Sequence, residues 1–210
     1  MHGSYSDAFR AELRDLMRWR RDVRRFRTDP VEAAVLDRCL SVFGLAPSVG
    51  LSEPWRVIRV ESAAARAAAL ANFEAENAKA LTGYADEKAR IYAGLKLSGM
   101  REAPVQLALY CDEATPKGAG LGAGSMPETR AYSVVGAITL FWLAARAEGL
   151  GLGWVSILDP ARLARDLNTP DDWRLIGYLC VGWPETNGDV PELETVGWEH
   201  RAPALWMEAR

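Results

Sequence analysis

Histidine and cysteine are scarce in this chain, and the chemistry they carry is scarce with them. The two histidines of its 210 residues, His2 and His200, lie one near each end. A Ser–His pair or a histidine-built metal centre therefore has little to rest on. The three cysteines, Cys39, Cys111 and Cys180, are far apart and each has apolar neighbours. That pattern predicts buried thiols in a reducing cytoplasm, with no disulfide frame and no zinc site. A membrane-length apolar run is also missing. The longest uncharged stretch, residues 131–145, contains Tyr132, Ser133, Gly136 and Thr139 and predicts a buried helix. Residues 1–16 carry acidic side chains and no apolar core, unlike a secretory leader. There is no excess of positive charge either. A formal net charge of -3 argues against a dedicated nucleic-acid binder. No Walker A sequence occurs. Neither Gly118 to Gly124 nor the Gly149-Leu150-Gly151-Leu152-Gly153 run has the G-x-G-x-x-G spacing of a dinucleotide fold.

What is present reads as one globular α+β unit. The chain is 49% hydrophobic and 25% charged, long enough for a sizeable core, with no internal repeat and no linker. A single domain over 1–210 with an extended tail from about residue 184 is expected. Phe9, Leu13, Leu16 and Met17 recur at helical spacing. Asp29-Pro30-Val31-Glu32 predicts a helix start, with Asp29 as cap and Glu32 closing a capping box, so that Val35, Cys39 and Val42 or Phe43 are buried. Ala46 to Gly50 is a loop, and Trp55–Val60, Val105–Cys111, Trp154–Leu158 and Leu175–Trp183 are strands. Residues 62–98 form one or two helices broken near Gly83, and a long helix runs from about Ala131 to Glu148, ended by Gly149. Thr115–Pro127, rich in glycine and poor in apolar bulk, is the candidate for a mobile lid.

The densest chemistry lies at Arg20-Arg21-Asp22-Val23-Arg24-Arg25-Phe26. Four arginines within six positions make an anion-binding arm, since guanidinium forks hold phosphate oxygens two at a time. Such a run can equally be a solvated face, and Asp22 can be a spacer between arginines or a helix cap. An arm built only for phosphate gains nothing from a carboxylate, so Asp22 calls for its own explanation.

Taken together, several segments resemble the flavin-dependent nitroreductase superfamily. They are Arg20-Arg21 with Val23-Arg24 and Phe26, Ala46-Pro47-Ser48 followed by Pro54-Trp55, Pro104-Val105, and Ala145 to Gly151 leading to Trp154. The resemblance covers nearly the whole chain. It implies a nitroreductase-like α+β fold with a central, mostly antiparallel sheet flanked by helices, an intertwined homodimer, and FMN at the subunit boundary. Where the usual arm has a serine, this chain has Asp22. Together with Pro47 to Ser52, Leu95-Lys96-Leu97, Gly99 to Pro104 and Gly153 to Leu158, that makes it more similar to the branch that produces 5,6-dimethylbenzimidazole, the lower ligand of vitamin B12, by destroying FMN.

The resemblance implies that reduced FMN is the substrate, that dioxygen is consumed, and that erythrose 4-phosphate leaves. Asp22 and Ser156 become the catalytic candidates. Asp22 would move protons, and Ser156 would hydrogen-bond the flavin. A strand-end serine satisfied by backbone is the plainer reading of Ser156. Arg20, Arg21 and Arg24 would hold phosphate and ribityl, Val23, Ser48 and Leu97 would line the pocket, and Arg201 would reach the phosphate from the tail. No metal ion is implied. NAD(P)H would supply electrons, at this site or through a separate flavin reductase. Physics supports a chemical role for Asp22. A fixed carboxylate about 4 Å from an anionic reduced flavin costs roughly 4 kcal/mol at an effective dielectric near 20, and a carboxyl that takes up a proton escapes that cost. The alternatives are an NAD(P)H-dependent nitroreductase or flavin reductase that keeps its FMN, an FMN-storage module, and a structural dimer whose arginines only pair with carboxylates.

Overall fold

The structure, a computed structural model, describes residues 3–210, and His2 lies outside the described residues. Its strands are β1 (Trp55–Arg59), β2 (Val105–Asp112), β3 (Gly151–Val155) and β4 (Trp173–Gly182). Its helices are α1 (Asp7–Trp19), α2 (Ala33–Ser41), α3 (Ala63–Leu81), α4 (Asp86–Gly94), α5 (Thr129–Ala147), α6 (Pro160–Asp166) and α7 (Glu192–Thr195). The strands pair antiparallel in the order β1-β2-β4-β3.

The two-residue period of a strand divides the core into two layers. Leu107, Leu109 and Cys111 of β2 and Leu179 and Val181 of β4 face α2 and α5, together with Leu36, Phe43, Ile138 and Phe141. Ala108, Tyr110, Tyr178 and Cys180 face the other way, against Ala69 and Phe73 of α3, Leu163 of α6 and Phe26 of the basic arm. With both faces covered, the two central strands read as continuous apolar runs. Truncating a fully buried phenylalanine such as Phe141 to alanine costs about 3–5 kcal/mol.

Glycine explains how the arm joins this frame. It runs alongside β3 as an extra strand: Asp22 bridges Leu152, the Val23 amide donates to the Leu152 carbonyl at 2.9 Å, and Phe26 bridges Pro184. A Cβ on Gly153 would stand 2.1 Å from the Val23 carbonyl oxygen, so only glycine admits the arm there. The Gly149–Gly153 run therefore serves strand packing. It also moves β3 relative to expectation: the strand begins at Gly151 and ends at Val155, leaving Ser156, Ile157 and Leu158 in the turn that follows.

Helix α5 ends as its sequence predicts. Gly149 takes a φ of 83°, and the Leu150 amide reaches back to the Ala145 carbonyl at 2.9 Å. Its burial differs from expectation. Ala131, Val134, Ala137, Ile138, Phe141 and Ala145 form a buried stripe, but Tyr132 is 60% exposed and Val135 and Thr139 are exposed beside it. Helix α1 is less covered still: Ser6 caps it through the Phe9 amide, Leu13, Leu16 and Trp19 are half-buried along one face, and none of its residues is buried. The helix start predicted at Asp29 is corrected. Asp29 accepts from Arg27 Nε at 2.7 Å, and α2 starts at Ala33 with Glu32 at the cap and no side-chain cap bond, the carboxylate having found a nearer cation. Leu36, Cys39 and Phe43 are buried, while Val35 and Val42 are half-buried, because a 3₁₀ turn at Val42–Leu45 tightens the end of the helix.

The break near Gly83 separates α3 from α4 as predicted. The Gly-rich segment 115–127 is a run of turns fastened to the loop before β1: Gly50 and Gly118, both at positive φ, pack so closely that a Cβ on Gly118 would lie 2.6 Å from the Gly50 carbonyl oxygen. Among the described residues no helix is long and apolar enough to cross a membrane.

Candidate functional site

Extended backbone sends alternate side chains to opposite sides, and this sorts the arm by chemistry. Arg20, Asp22 and Arg24 share one side. Asp22 Oδ1 accepts from the Trp154 amide at 2.8 Å, and Oδ2 accepts from Arg24 Nε at 2.9 Å. Arg20 lies close enough to favour the ionised carboxylate and stacks its guanidinium over the Trp142 ring, 4.5 Å from the centroid. The other side faces the tail. Arg21 donates through Nε and Nη2 to the Asp189 carbonyl at 2.9 and 2.6 Å, Val23 packs on Gly151, and Arg25 pairs with Glu192 at 2.8 Å.

Asp22 is held against its own charge. Burial pushes its pKa above the ordinary 3.8, and Arg24, the Trp154 amide and Arg20 pull it back only in part. The side chain still keeps 33% of its surface accessible. A carboxyl whose proton affinity is raised by burial, with two fixed donors and an open edge, is placed to take and return a proton. The thiols offer no competing nucleophile. Burial pushes Cys111 up to about 11 and Cys180 up to about 12.

A cavity of about 260 Å³ opens beside this group, with Arg20, Arg21, Asp22, Arg24, Trp142 and Arg146 in its wall. Among the described residues Arg20 has no carboxylate partner, and Arg24 directs Nε to Asp22 and Nη1 to the Lys96 carbonyl at 3.5 Å, leaving Nη2 free. Unspent guanidinium donors beside a carboxyl suit an anionic ligand such as a phosphate ester.

The other expected residues are spread more widely. Leu97 is half-buried next to Lys96 and packs into the second apolar layer. Ser156 is exposed two residues beyond Trp154, in a cleft with Glu76, Lys79 and Ala80. Arg201 pairs with Glu194 at 2.8 Å, and its charge is near enough to Arg21 to help lower that guanidinium's pKa, behind the larger effect of burial. Ser48 is elsewhere: it accepts from the Glu53 amide at 3.1 Å, and the adjoining Val49 amide donates to Ser133 Oγ at 3.0 Å, near the start of α5. Trp142, the Trp154 amide and the Asp189 carbonyl were not foreseen. All three are distant in sequence, and two are backbone groups that no residue type announces.

The Nitroreductase family model matches residues 17–183. The chain is 51% identical over 199 residues to a 5,6-dimethylbenzimidazole synthase of Rhodospirillum rubrum, covering 95% of this chain and 94% of that one. It is 50% identical over 203 residues to a 5,6-dimethylbenzimidazole synthase of Rhodobacter capsulatus, covering 97% and 98%. Among solved structures, an iodotyrosine deiodinase bound to FMN and 3-iodo-L-tyrosine superposes with a TM-score of 0.71 at 22% identity, over 94% of this chain and 97% of that one. A nitroreductase-like protein from Bacillus cereus superposes with a TM-score of 0.66 at 19% identity over 100% of both chains.

Proposed function

The chain belongs to the nitroreductase family, and from that premise we propose that it acts as a 5,6-dimethylbenzimidazole synthase, an oxidoreductase that consumes reduced FMN and dioxygen. The first ribityl carbon becomes the carbon between the two nitrogens of the benzimidazole, erythrose 4-phosphate leaves, and the remaining pyrimidine ring of the flavin departs as an oxidised fragment. The product is the lower ligand of cobalamin. The observation that carries this reading is Asp22, a carboxyl raised in pKa by burial where a flavin-recycling arm has a serine.

Reduced FMN supplies the electrons that activate dioxygen; the protein's part is to hold, orient and move protons. Arg20 and the free Nη2 of Arg24 bind the phosphate and ribityl oxygens. Arg21 ties the arm to the tail and so brings Arg201 toward the same anion. Val23 and Leu97 give the pocket its apolar wall. Asp22 Oδ2 takes a proton during fragmentation and returns it, with Arg24 keeping the carboxyl in place throughout. Ser156 donates a hydrogen bond from the end of β3.

A second copy of the chain supplies Ser48, which in one chain lies at the opposite end of α5 from Asp22. It also covers the apolar side chains left exposed here, among them Phe9, Met17, Tyr132 and the tail residue Trp206 at 85% exposure. Three buried thiols fit the cytoplasm as the setting.

Reduced FMN mixed with the protein under air tests the reading. A benzimidazole formed at the expense of flavin is expected. Quantitative return of oxidised FMN with hydrogen peroxide, the outcome that air alone gives with reduced FMN, would overturn it.

A further inference from the structure

Asn72 is fully buried in the middle of α3, where an amide is an expensive side chain to desolvate unless both of its ends are bonded. Both are. Its Nδ2 donates to the Asp159 carbonyl at 2.9 Å, and its Oδ1 accepts from the Asp159 amide at 2.8 Å. One side chain thus grips both backbone groups of one residue in a neighbouring segment. Asp159 in turn caps α6 through the amides of Ala161 and Arg162, at 2.9 and 3.1 Å. The segment gripped is the turn that begins at Ser156, directly after β3. Its near end is fixed by β3 pairing, with Val155 opposite Tyr178. Its far end is fixed by Asn72. Ile157 packs against the second layer and Leu158 is buried in it, and one to two turns along α3 from Asn72 the side chains of Glu76, Lys79 and Ala80 form the other wall of the cleft that holds Ser156.

We propose that Asn72 is a positioning residue for Ser156: by clamping Asp159 it fixes the direction in which the turn presents the serine hydroxyl. This rests on the proposed role of Ser156 in the reaction. Asn72 touches neither the arm nor its cavity, so its effect on the reaction travels through the 156–159 turn. The register between the serine and Asp22 is then set at two points, the Trp154 amide on one side and the Asn72 clamp on the other.

The test is a double-mutant cycle on the full-length protein, with Asn72→Ala, Ser156→Ala and the pair. It reads the fraction of reduced FMN converted to benzimidazole against the fraction returned as intact FMN, at a temperature where near-ultraviolet circular dichroism shows every variant folded. Ser156→Ala should lower the benzimidazole fraction several-fold, Asn72→Ala should lower it to a similar degree, and the pair should be no worse than Ser156→Ala alone. A clamp that serves stability alone would lower the melting temperature and leave the product ratio unchanged, and that result overturns the proposal. Losses that multiply in the pair overturn it as well. A silent Ser156→Ala removes the role of Ser156 and the proposal with it, whereas an active-site effect of Ser156→Ala with an additive Asn72→Ala removes the proposal alone. Should Asn72→Ala not fold, Asn72→Asp takes its place. It keeps the acceptor for the Asp159 amide, loses the donor to the Asp159 carbonyl, and should shift the same ratio in the same direction.

Discussion

The two ends of α5 differ in kind. Near its last turns, Trp142 and Arg146 meet the arm, and the local chemistry is ionic: Arg20, Asp22 and Arg24 in an open cavity. Near its first turn, Ser133 receives the Val49 amide, and the chemistry is backbone and glycine: Gly50 against Gly118, Ser48 against the Glu53 amide. Ser133 and Trp142 stand about 14 Å apart at 1.5 Å per residue. One end can bind an anion and handle a proton. The other can only shape a wall. In the proposed dimer the second end comes from the partner chain, and the exposed Tyr132, Val135 and Thr139 are the part of α5 open to it.

The ionic end gives the largest expected effect. Asp22→Asn keeps the acceptor for the Trp154 amide and gives up the one for Arg24 Nε, while the charges of Arg20 and Arg24 remain, so FMN should still bind. Benzimidazole formation should fall at least about 10²-fold, the usual loss of a positioned acid–base group, as followed by chromatography of the products. Asp22→Ser should give a flavin that is reoxidised without being consumed. Wild-type benzimidazole yield from the Asp22→Asn protein would make the carboxylate structural.

Mixing chains tests whether the two ends meet from different molecules. Ser48→Trp fills the wall at one end, and Asp22→Asn disables the other; each homodimer should be nearly inactive. If every site takes Asp22 from one chain and Ser48 from its partner, the mixed dimer contains one site with both defects and one with neither. Co-expressed and purified through two different affinity tags, it should recover about half of the wild-type activity per dimer. If both residues came from one chain, each site would carry one defect and no activity would return.

A smaller effect sharpens the ionic end itself. Among the described residues Arg20 has an aromatic ring beneath it and no bonded carboxylate, and Arg24 keeps its bond to Asp22, so Arg20→Ala removes an anion donor without stranding that carboxyl. FMN affinity should fall by about 1.5–3 kcal/mol, the worth of a hydrogen bond to a charged group, or roughly 10- to 100-fold. Riboflavin, which lacks the phosphate, should bind more weakly to the wild type and lose less on substitution. Titration by flavin fluorescence reads both, and equal losses for the two ligands would remove the phosphate contact.

Much of this was legible in the sequence because it is local. Strand and helix periods placed β1, β2, β4 and α5 close to where they lie, and Gly149 marked the end of α5. The spacing of Arg20, Asp22 and Arg24 already implied one shared face, once the arm was known to be extended. Illegible features were those set by distant chain. Val23 crosses Gly153, and β3 runs from Gly151 to Val155 with Ser156 past its end. Arg27 drew Asp29 away from the predicted cap. Composition marked the Gly-rich segment, but it could not show that Gly118 packs on Gly50. Asp22's partners are an amide and a neighbouring arginine, and only the second has a sequence signal.

The smallest expected effect concerns stability and follows from the sign of the Asp22 shift. Burial raises the pKa of the folded carboxyl above its ordinary 3.8, so over the interval between the two values the folded chain holds a proton that the unfolded chain has released. The folded state's preference for the protonated carboxyl is complete below the unfolded pKa and is lost as pH rises through the folded one. Wild-type stability relative to Asp22→Asn should therefore be greatest near pH 4 and decline toward neutrality, because asparagine has no proton to lose. Arg24 works against this trend by favouring the ionised form, which keeps the decline modest. Thermal melts of the two proteins without flavin, at half-unit steps from pH 4 to pH 8, measure it as a difference in Tm. A wild-type advantage that grows with pH would mean that Arg24 and the Trp154 amide outweigh burial, and the carboxyl would then enter the reaction already ionised, as a base from the outset.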